Sequence, residues 1–150
     1  MRNDRYLHDI SDSYKSYKFL SEGPKGQISK VIRYTEIQTP NFYNLGFGDQ
    51  LGNTDDFDDR VVSNNKDSVK VLATVAATVY LFTSEYPKAF VFAKGNTPAR
   101  TRLYQMGISN NLEEILKDFI VVGILDDSWE IFKKNKNYTT FLITRKWNLL

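Results

Sequence analysis

One stretch of the sequence combines residue types that bind anions. Gly95-Asn96-Thr97-Pro98 is a turn signal directly before a predicted helix, with proline at the first helical position. A helix start presents free backbone N–H groups and the positive end of the helix dipole, which suit a phosphate or carboxylate. The candidate anion-binding residues are Asn96, Thr97, Ala99, Arg100 and Tyr104. The alternative is a well-capped helix carrying a solvated arginine.

The spacing of the arginines limits how such a site would work. Arg102 projects about 200° away from Arg100, at about 100° per residue, so the two side chains cannot easily hold one phosphate. Tyr104 lies one turn after Arg100 on the same stripe of the helix. The stretch also lacks the second glycine and the lysine of a P-loop. A phosphate site would therefore depend on the helix start and Arg100.

A second polar group, Ser63-Asn64-Asn65-Lys66-Asp67, precedes the longest apolar pattern of the chain. Serine, asparagine and aspartate are favoured helix N-caps, so we predict that this group caps the long helix. In the functional alternative, Asn64, Asn65 and Asp67 line a cleft beside Thr97 and Arg100.

Two charged segments suggest weaker hypotheses. Asp55-Asp56-Phe57-Asp58-Asp59 does not match an EF-hand, because Arg60 and Lys66 occupy the positions of the glycine and the bidentate glutamate. We expect a solvated acidic loop that can pair with basic residues of this chain or of a partner, and the alternative is a hard cation held by two of these carboxylates. We predict no metal site and no cofactor. Lys133-Lys134-Asn135-Lys136-Asn137 has aromatic neighbours, a combination that binds single-stranded nucleic acid, but lysines are also common at hairpin tips.

Composition excludes several classes of enzyme. The 150 residues include no cysteine and one histidine, His8, which rules out thiolate zinc sites, cysteine nucleophiles and sites with two imidazoles. The net charge of +2 does not by itself indicate nucleic-acid binding. The longest apolar stretch, Val69 to Phe82, is shorter than the ~20 residues that cross a bilayer. We expect a cytoplasmic protein without membrane association.

The hydrophobic pattern predicts a single α+β domain over residues 1–150, with residues 1–13 as a loose lead-in. Three strands precede a long buried central helix between Val69 and Glu85. A short strand at Ala89–Ala93, one or two shorter helices, and a C-terminal meander of three strands follow. The order βββ-α-β-α-α-βββ favours one mostly antiparallel sheet with helices against a face.

The segment from Asp58 to Ile108 resembles a family of small bacterial proteins. In that family an Asp-Asp…Ser-Asn-Asn stretch precedes a Val-Leu-Ala-rich helix, a strand and a Gly-Ser-Thr-Pro-x-Arg-Thr-Arg-Leu-Tyr segment. This chain has Asn96 in place of the serine, and Lys66 where glycine is usual. The likeness extends to Tyr-Lys-Phe-Leu-Ser near the start and Tyr-Thr-Thr-Phe-Leu-Ile-Thr-Arg near the end. The family is a domain of unknown function, so the resemblance implies a bacterial single-domain protein and no catalytic residues.

Three functional hypotheses follow. The favoured one is a non-enzymatic binding or interaction protein, as in stress, defence or toxin–antitoxin systems, that acts through a protein partner or as a homo-oligomer. The second is a small histidine-independent nuclease-like or phosphate-binding enzyme that uses the helix start from Thr97 to Tyr104. The third is a small-molecule-binding module.

Overall fold

The computed structural model describes residues 4–58 and 64–149 of the chain. The strands in this part are β1 (Asp9–Ile10), β2 (Ser16–Gly23), β3 (Gly26–Glu36), β4 (Phe42–Gln50), β5 (Phe57–Asp58), β6 (Phe90–Ala93), β7 (Phe119–Leu125), β8 (Ser128–Ile131) and β9 (Thr140–Arg145). The α-helices are α1 (Ser68–Glu85), α2 (Pro98–Asn110) and α3 (Leu112–Asp118), and a 3-10 helix covers Lys146–Leu149.

The described strands form one sheet in the order β1-β2-β3-β4-β6-β9-β7-β8, and β5 is attached to the end of β4. Of these pairings, β4 with β6 is parallel and the others are antiparallel. The predicted α+β class with a mostly antiparallel sheet is therefore confirmed. The chain order matches the predicted one apart from the two-residue strands β1 and β5.

The predicted C-terminal meander is wrong, because β9 does not lie beside β8. It is inserted between β6 and β7, so that Ile143 pairs with Val91 on one side and Val121 on the other. Residues 132–139 consequently cross β7 on the helix side of the sheet, where the Tyr138 ring covers Gly123. A Cβ atom on Gly123 would lie 2.5 Å from that ring, so the crossing requires glycine at this position.

The three helices pack on one side of the sheet, the inner face, and α1 is buried over most of its circumference. Leu72 and Val79 of α1 are buried as predicted, whereas Ala76 is half-buried. Phe82 stacks on Tyr34 of β3, with ring centroids 4.1 Å apart. In the part of the chain that the structure describes, no helix is long and apolar enough to cross a membrane.

The N-terminal segment is attached to the fold, so the prediction of a loose lead-in is wrong for its described residues. Tyr6 is buried, its backbone N–H donates to Thr74 Oγ1 at 2.9 Å, and its ring stacks on Phe19 at 5.4 Å. β1 then pairs with β2. A few specific contacts hold this segment, and its polar composition does not reveal them.

Candidate functional site

Helix α2 begins as the sequence indicates. Thr97 is the N-cap, Pro98 follows at the first helical position, and Thr97 Oγ1 accepts a hydrogen bond from the Arg100 backbone N–H at 3.1 Å. The hydroxyl therefore takes one of the amides that would otherwise face an anion. Ala99 next to it is half-buried.

Arg100 and Tyr104 turn inward to the sheet rather than outward to solvent. Arg100 is 3% exposed, donates from Nη1 to the Phe47 carbonyl at 3.0 Å, and places its guanidinium 4.6 Å from the Phe47 ring centroid. Tyr104 donates its hydroxyl to the Leu45 carbonyl at 3.3 Å. Both side chains thus join α2 to β4. The alternative of a solvated Arg100 is wrong, because the arginine lies on the stripe of α2 that the sheet covers.

The five candidate anion residues do not form one site. Asn96 and Thr97 line a surface groove at the start of α2, together with the exposed Arg102. Arg100 lines a different cavity, deeper between α1, α2 and the sheet, and Tyr104 packs in the core.

The residues before α1 connect it to the β2–β3 hairpin rather than capping it. Asp67 is the N-cap residue, but its side chain makes no capping hydrogen bond. Its carboxylate accepts instead from the Tyr6 hydroxyl at 2.6 Å and from Ser21 Oγ at 2.5 Å. Asn65 donates to the Gly26 carbonyl at 2.8 Å and accepts from the Lys25 N–H at 2.7 Å. The capping prediction is therefore wrong for Asp67, and Ser63 lies outside the described residues.

Asn64, Asn65, Asp67 and Arg100 line one cavity of about 140 Å³, although Thr97 is not among its lining residues. Lys30 also faces it and forms an ion pair with Asp49 at 2.5 Å. The charged groups around the cavity thus already bind groups of the protein itself.

The acidic loop covers part of the opposite side of the sheet, the outer face. Asp55 forms an ion pair with Lys18 at 2.8 Å, and Asp56 forms one with Arg33 at 2.6 Å. A Cβ atom on Gly46 would lie 2.8 Å from the Phe57 ring, which therefore packs directly on β4. Asp59 lies outside the described residues. Within residues 4–58 and 64–149 no group of three or more His, Cys, Asp or Glu side chains is placed to hold a metal ion.

The basic segment Lys133–Asn137 is not a hairpin tip, because it belongs to the crossing between β8 and β9. Gln105 of α2 donates to the Lys136 carbonyl at 2.7 Å and accepts from the Tyr138 N–H at 3.2 Å, which fixes the segment against α2. Lys136 Nζ also donates to Glu130 at 2.5 Å. This hydrogen bond lowers the pKa of Glu130 and raises the pKa of Lys136, so both stay charged at neutral pH.

The rest of the outer face, over β4, β6, β9, β7 and β8, carries an apolar surface that our sequence reasoning missed. Directly paired residues share a face, so the register places these side chains together. The outer patch comprises Phe42, Phe90, Phe92, Leu142, Ile120, Val122, Ile124, Trp129 and Ile131. Trp129 is 72% exposed and Ile131 is 60% exposed.

The sequence contains a signal for this patch. β6 (Phe-Val-Phe-Ala) and β7 (Phe-Ile-Val-Val-Gly-Ile-Leu) are apolar at successive positions and do not alternate with polar residues. Such runs are typical of strands that are covered on both faces. The α-helices cover only the inner face. On the outer face Val122 is 8% exposed, whereas Trp129 and Ile131 of β8 are mainly exposed, so the patch is most open at its β8 edge.

The fold and its surfaces define a class of α+β protein with one helical layer, a mostly antiparallel sheet and an apolar outer sheet face. The chain belongs to a family of unknown function, DUF6934, whose family model matches residues 2–146. The expected membership of such a family is confirmed, while a bacterial source stays a prediction. No curated protein and no solved structure matches the chain.

Proposed function

We propose that this is a non-enzymatic interaction protein that acts by assembly through its outer patch. The observation that supports the proposal is a contiguous sheet face without a charged side chain, from Phe42 on β4 to Ile131 on β8. Sheets bury their apolar faces against another layer, and large uncovered apolar patches are typical of interaction sites. The setting proposed is a stress, defence or toxin–antitoxin system, in which proteins act by binding one another.

The size of the patch supports a stable contact. A large side chain offers about 150 to 250 Å² when fully exposed, so Trp129 and Ile131 together expose about 280 Å². Six other members are half-buried and bring the exposed area to about 400 to 700 Å². This lies in or above the upper part of the ~300 to 600 Å² range of the largest patch on a typical monomer. It approaches the ~800 Å² that each partner contributes to a standard interface.

The occupant that we propose is a second copy of the chain. The patch carries no charged side chain, so two copies related by a twofold axis meet without like-charge repulsion. The sheets would stack face to face about 10 Å apart, with the helices outside.

Two residues of the enzymatic alternative are buried in the fold. It requires Arg100 and Tyr104 at an accessible helix start, whereas both contact β4 inside the protein. Asp67, a candidate cleft residue beside that helix start, accepts hydrogen bonds from Tyr6 and Ser21.

Sedimentation equilibrium of the full chain tests the proposal. The wild-type protein should be a dimer at micromolar concentration, and Ile131→Asp should be a monomer, because a carboxylate in the interface is left without a partner. Leu116→Asp is the matched control, since Leu116 is an exposed leucine on α3 (39%) away from the sheet face. It should remain dimeric.

The three proteins should keep the same circular dichroism spectrum. A wild-type monomer at these concentrations would contradict the dimer. Protection of Trp129 from oxidation in a cell extract would then separate binding of another protein from a patch with no partner.

A further inference from the structure

A surface groove at the start of α2 joins two parts of the chain that the sequence keeps apart. It lies between the loop before α2, the exposed side of α2 and residues 137–139, and its volume is about 380 Å³. The two hydrogen bonds of Gln105 to residues 136 and 138 hold these parts together. The groove is on the helix side of the sheet, so it is separate from the outer patch.

Basic residues are concentrated in the two chain segments that form this groove. Residues 86–112 contain four basic residues and residues 131–150 contain five, and neither segment contains an acidic residue. The remaining chain has 11 basic and 18 acidic residues, so the net charge of +2 conceals a strong segregation. Five of these nine cations belong to the parts of the chain that form the groove. Lys94 and Arg102 line it, and Lys133, Lys134 and Lys136 belong to the segment that leads into its residues 137–139.

Three of the five are available to a ligand. Glu130 pairs with Lys136 at 2.5 Å and with Lys133 at 3.6 Å. Lys94, Arg102 and Lys134 are exposed and form no ion pair with another described residue. The interior arginine, Arg100, is not part of this surface.

The other groove residues fit a phosphate polymer. Asn96, Thr97 and Asn137 line the groove between the cations, and amide and hydroxyl side chains bind phosphate and sugar oxygens. Tyr138, the aromatic residue in the wall, is only 4% exposed and does not offer its ring for base stacking. The contacts available are therefore to the backbone of the polymer.

We propose that this groove binds the phosphate backbone of a nucleic-acid strand, independently of base sequence. The polymer carries one charge on every nucleotide, which matches several cations along one groove. An acidic protein segment is the competing ligand, and competition by polyglutamate distinguishes it.

Fluorescence anisotropy with labelled strands of about 12 nucleotides, a length within single-strand site sizes, tests the proposal. Three phosphate contacts give a slope of about −2.1 in log affinity against log salt, so affinity should fall about 18-fold between 50 and 200 mM salt. The Lys94→Ala/Arg102→Ala variant keeps one contact and should lose only about 3-fold over that range.

Two further variants separate the groove from general charge. Lys117→Ala/Lys146→Ala removes the same charge at the other end of β7 and β9, where Phe119 pairs with Arg145, and should bind like wild type. Glu130→Gln frees Lys133 and Lys136 for two further phosphate contacts. The loss of affinity between 50 and 200 mM salt should then be about 7-fold larger than for the wild type.

Three results would overturn the inference. They are no binding of RNA or DNA at 50 mM salt, equal binding by the Lys94→Ala/Arg102→Ala variant, and displacement of the strand by polyglutamate at equal charge concentration. The last result would assign the groove to an acidic protein. Single-stranded RNA, single-stranded DNA and duplex DNA of one length show which backbone is preferred.

Discussion

Replacing Arg100 by alanine tests whether the arginine at the start of α2 holds the fold together. The guanidinium is 3% exposed, donates to the Phe47 carbonyl and lies over the Phe47 ring. A hydrogen bond from a charged donor contributes about 1.5 to 3 kcal/mol, and a desolvated cation–π contact contributes about 2 kcal/mol. Alanine does not pay the entropy cost of ordering an arginine side chain, about 1.5 to 2 kcal/mol, and this offsets part of the loss. We expect Arg100→Ala to lower the free energy of unfolding by about 2 to 3 kcal/mol.

Arg102→Ala is the matched control, because Arg102 lies on the same helix and is exposed. Its effect should stay within about 0.5 kcal/mol. For a chain of this length, 1 kcal/mol shifts Tm by about 2 to 4 °C, so the two variants should differ by about 5 to 10 °C. Thermal and urea unfolding at one protein concentration measure this difference, since assembly makes stability depend on concentration.

A double-mutant cycle with Phe47→Leu isolates the ring contact, because that substitution keeps the Phe47 backbone carbonyl. We expect a coupling of about 1 kcal/mol between Arg100→Ala and Phe47→Leu. Equal unfolding midpoints for Arg100→Ala and Arg102→Ala would refute the reasoning. They would mean that the buried arginine contributes no more than a solvated one.

Two other predictions concern buried polar groups. Burial raises the pKa of the Tyr34 hydroxyl well above its ordinary value. Above about pH 10 the unfolded chain therefore releases a proton that the folded protein keeps. The free energy of unfolding should fall there by about 1.4 kcal/mol per pH unit because of this group. Tyr34→Phe should remove that part of the slope in urea unfolding between pH 9 and 11, and an unchanged slope would contradict it. Asp67→Ser should destabilise the protein as much as Asp67→Ala, by about 2 to 4 kcal/mol, because the short side chain cannot reach Tyr6 and Ser21. A neutral Asp67→Ser would show that the residue acts as an N-cap.

Features with local signals were predictable from the sequence. The apolar pattern of α1, the Thr97-Pro98 start of α2 and the Gly23–Gly26 turn each arise from residues close together in the chain. The position of β9 had no such signal. β9 pairs with β6, where Phe90 lies opposite Thr144, and with β7. A strand beside β7 has the same apolar composition on either side of it, so composition does not indicate which side β9 takes.

The roles of Asp67 and Asn65 depended on the same long-range geometry. A polar cluster before a helix is ordinarily a cap. The composition of residues 63–67 is the same whether they cap the helix or connect it to the β2–β3 hairpin. The difference lies in Gly23, where a Cβ atom would come 1.9 Å from the Asn65 carbonyl oxygen. This close approach brings the hairpin to the helix start and gives the side chains other partners. Only the assembled fold contains that information.

The direction of Arg100 was, by contrast, present in the sequence. Arg100, Tyr104 and Ile108 follow one another at intervals of four residues, and the structure buries all three. The spacing that put Arg100 and Tyr104 on one stripe therefore also marked that stripe as the one facing the sheet, since Ile108 extends it with an apolar residue. Arg102 lies on the opposite side by the same geometry and is exposed. A proposal for an anion at the start of α2 thus belongs to Arg102 and its neighbours in the groove, because the helix cannot offer Arg100 to solvent while it keeps Tyr104 and Ile108 in the core.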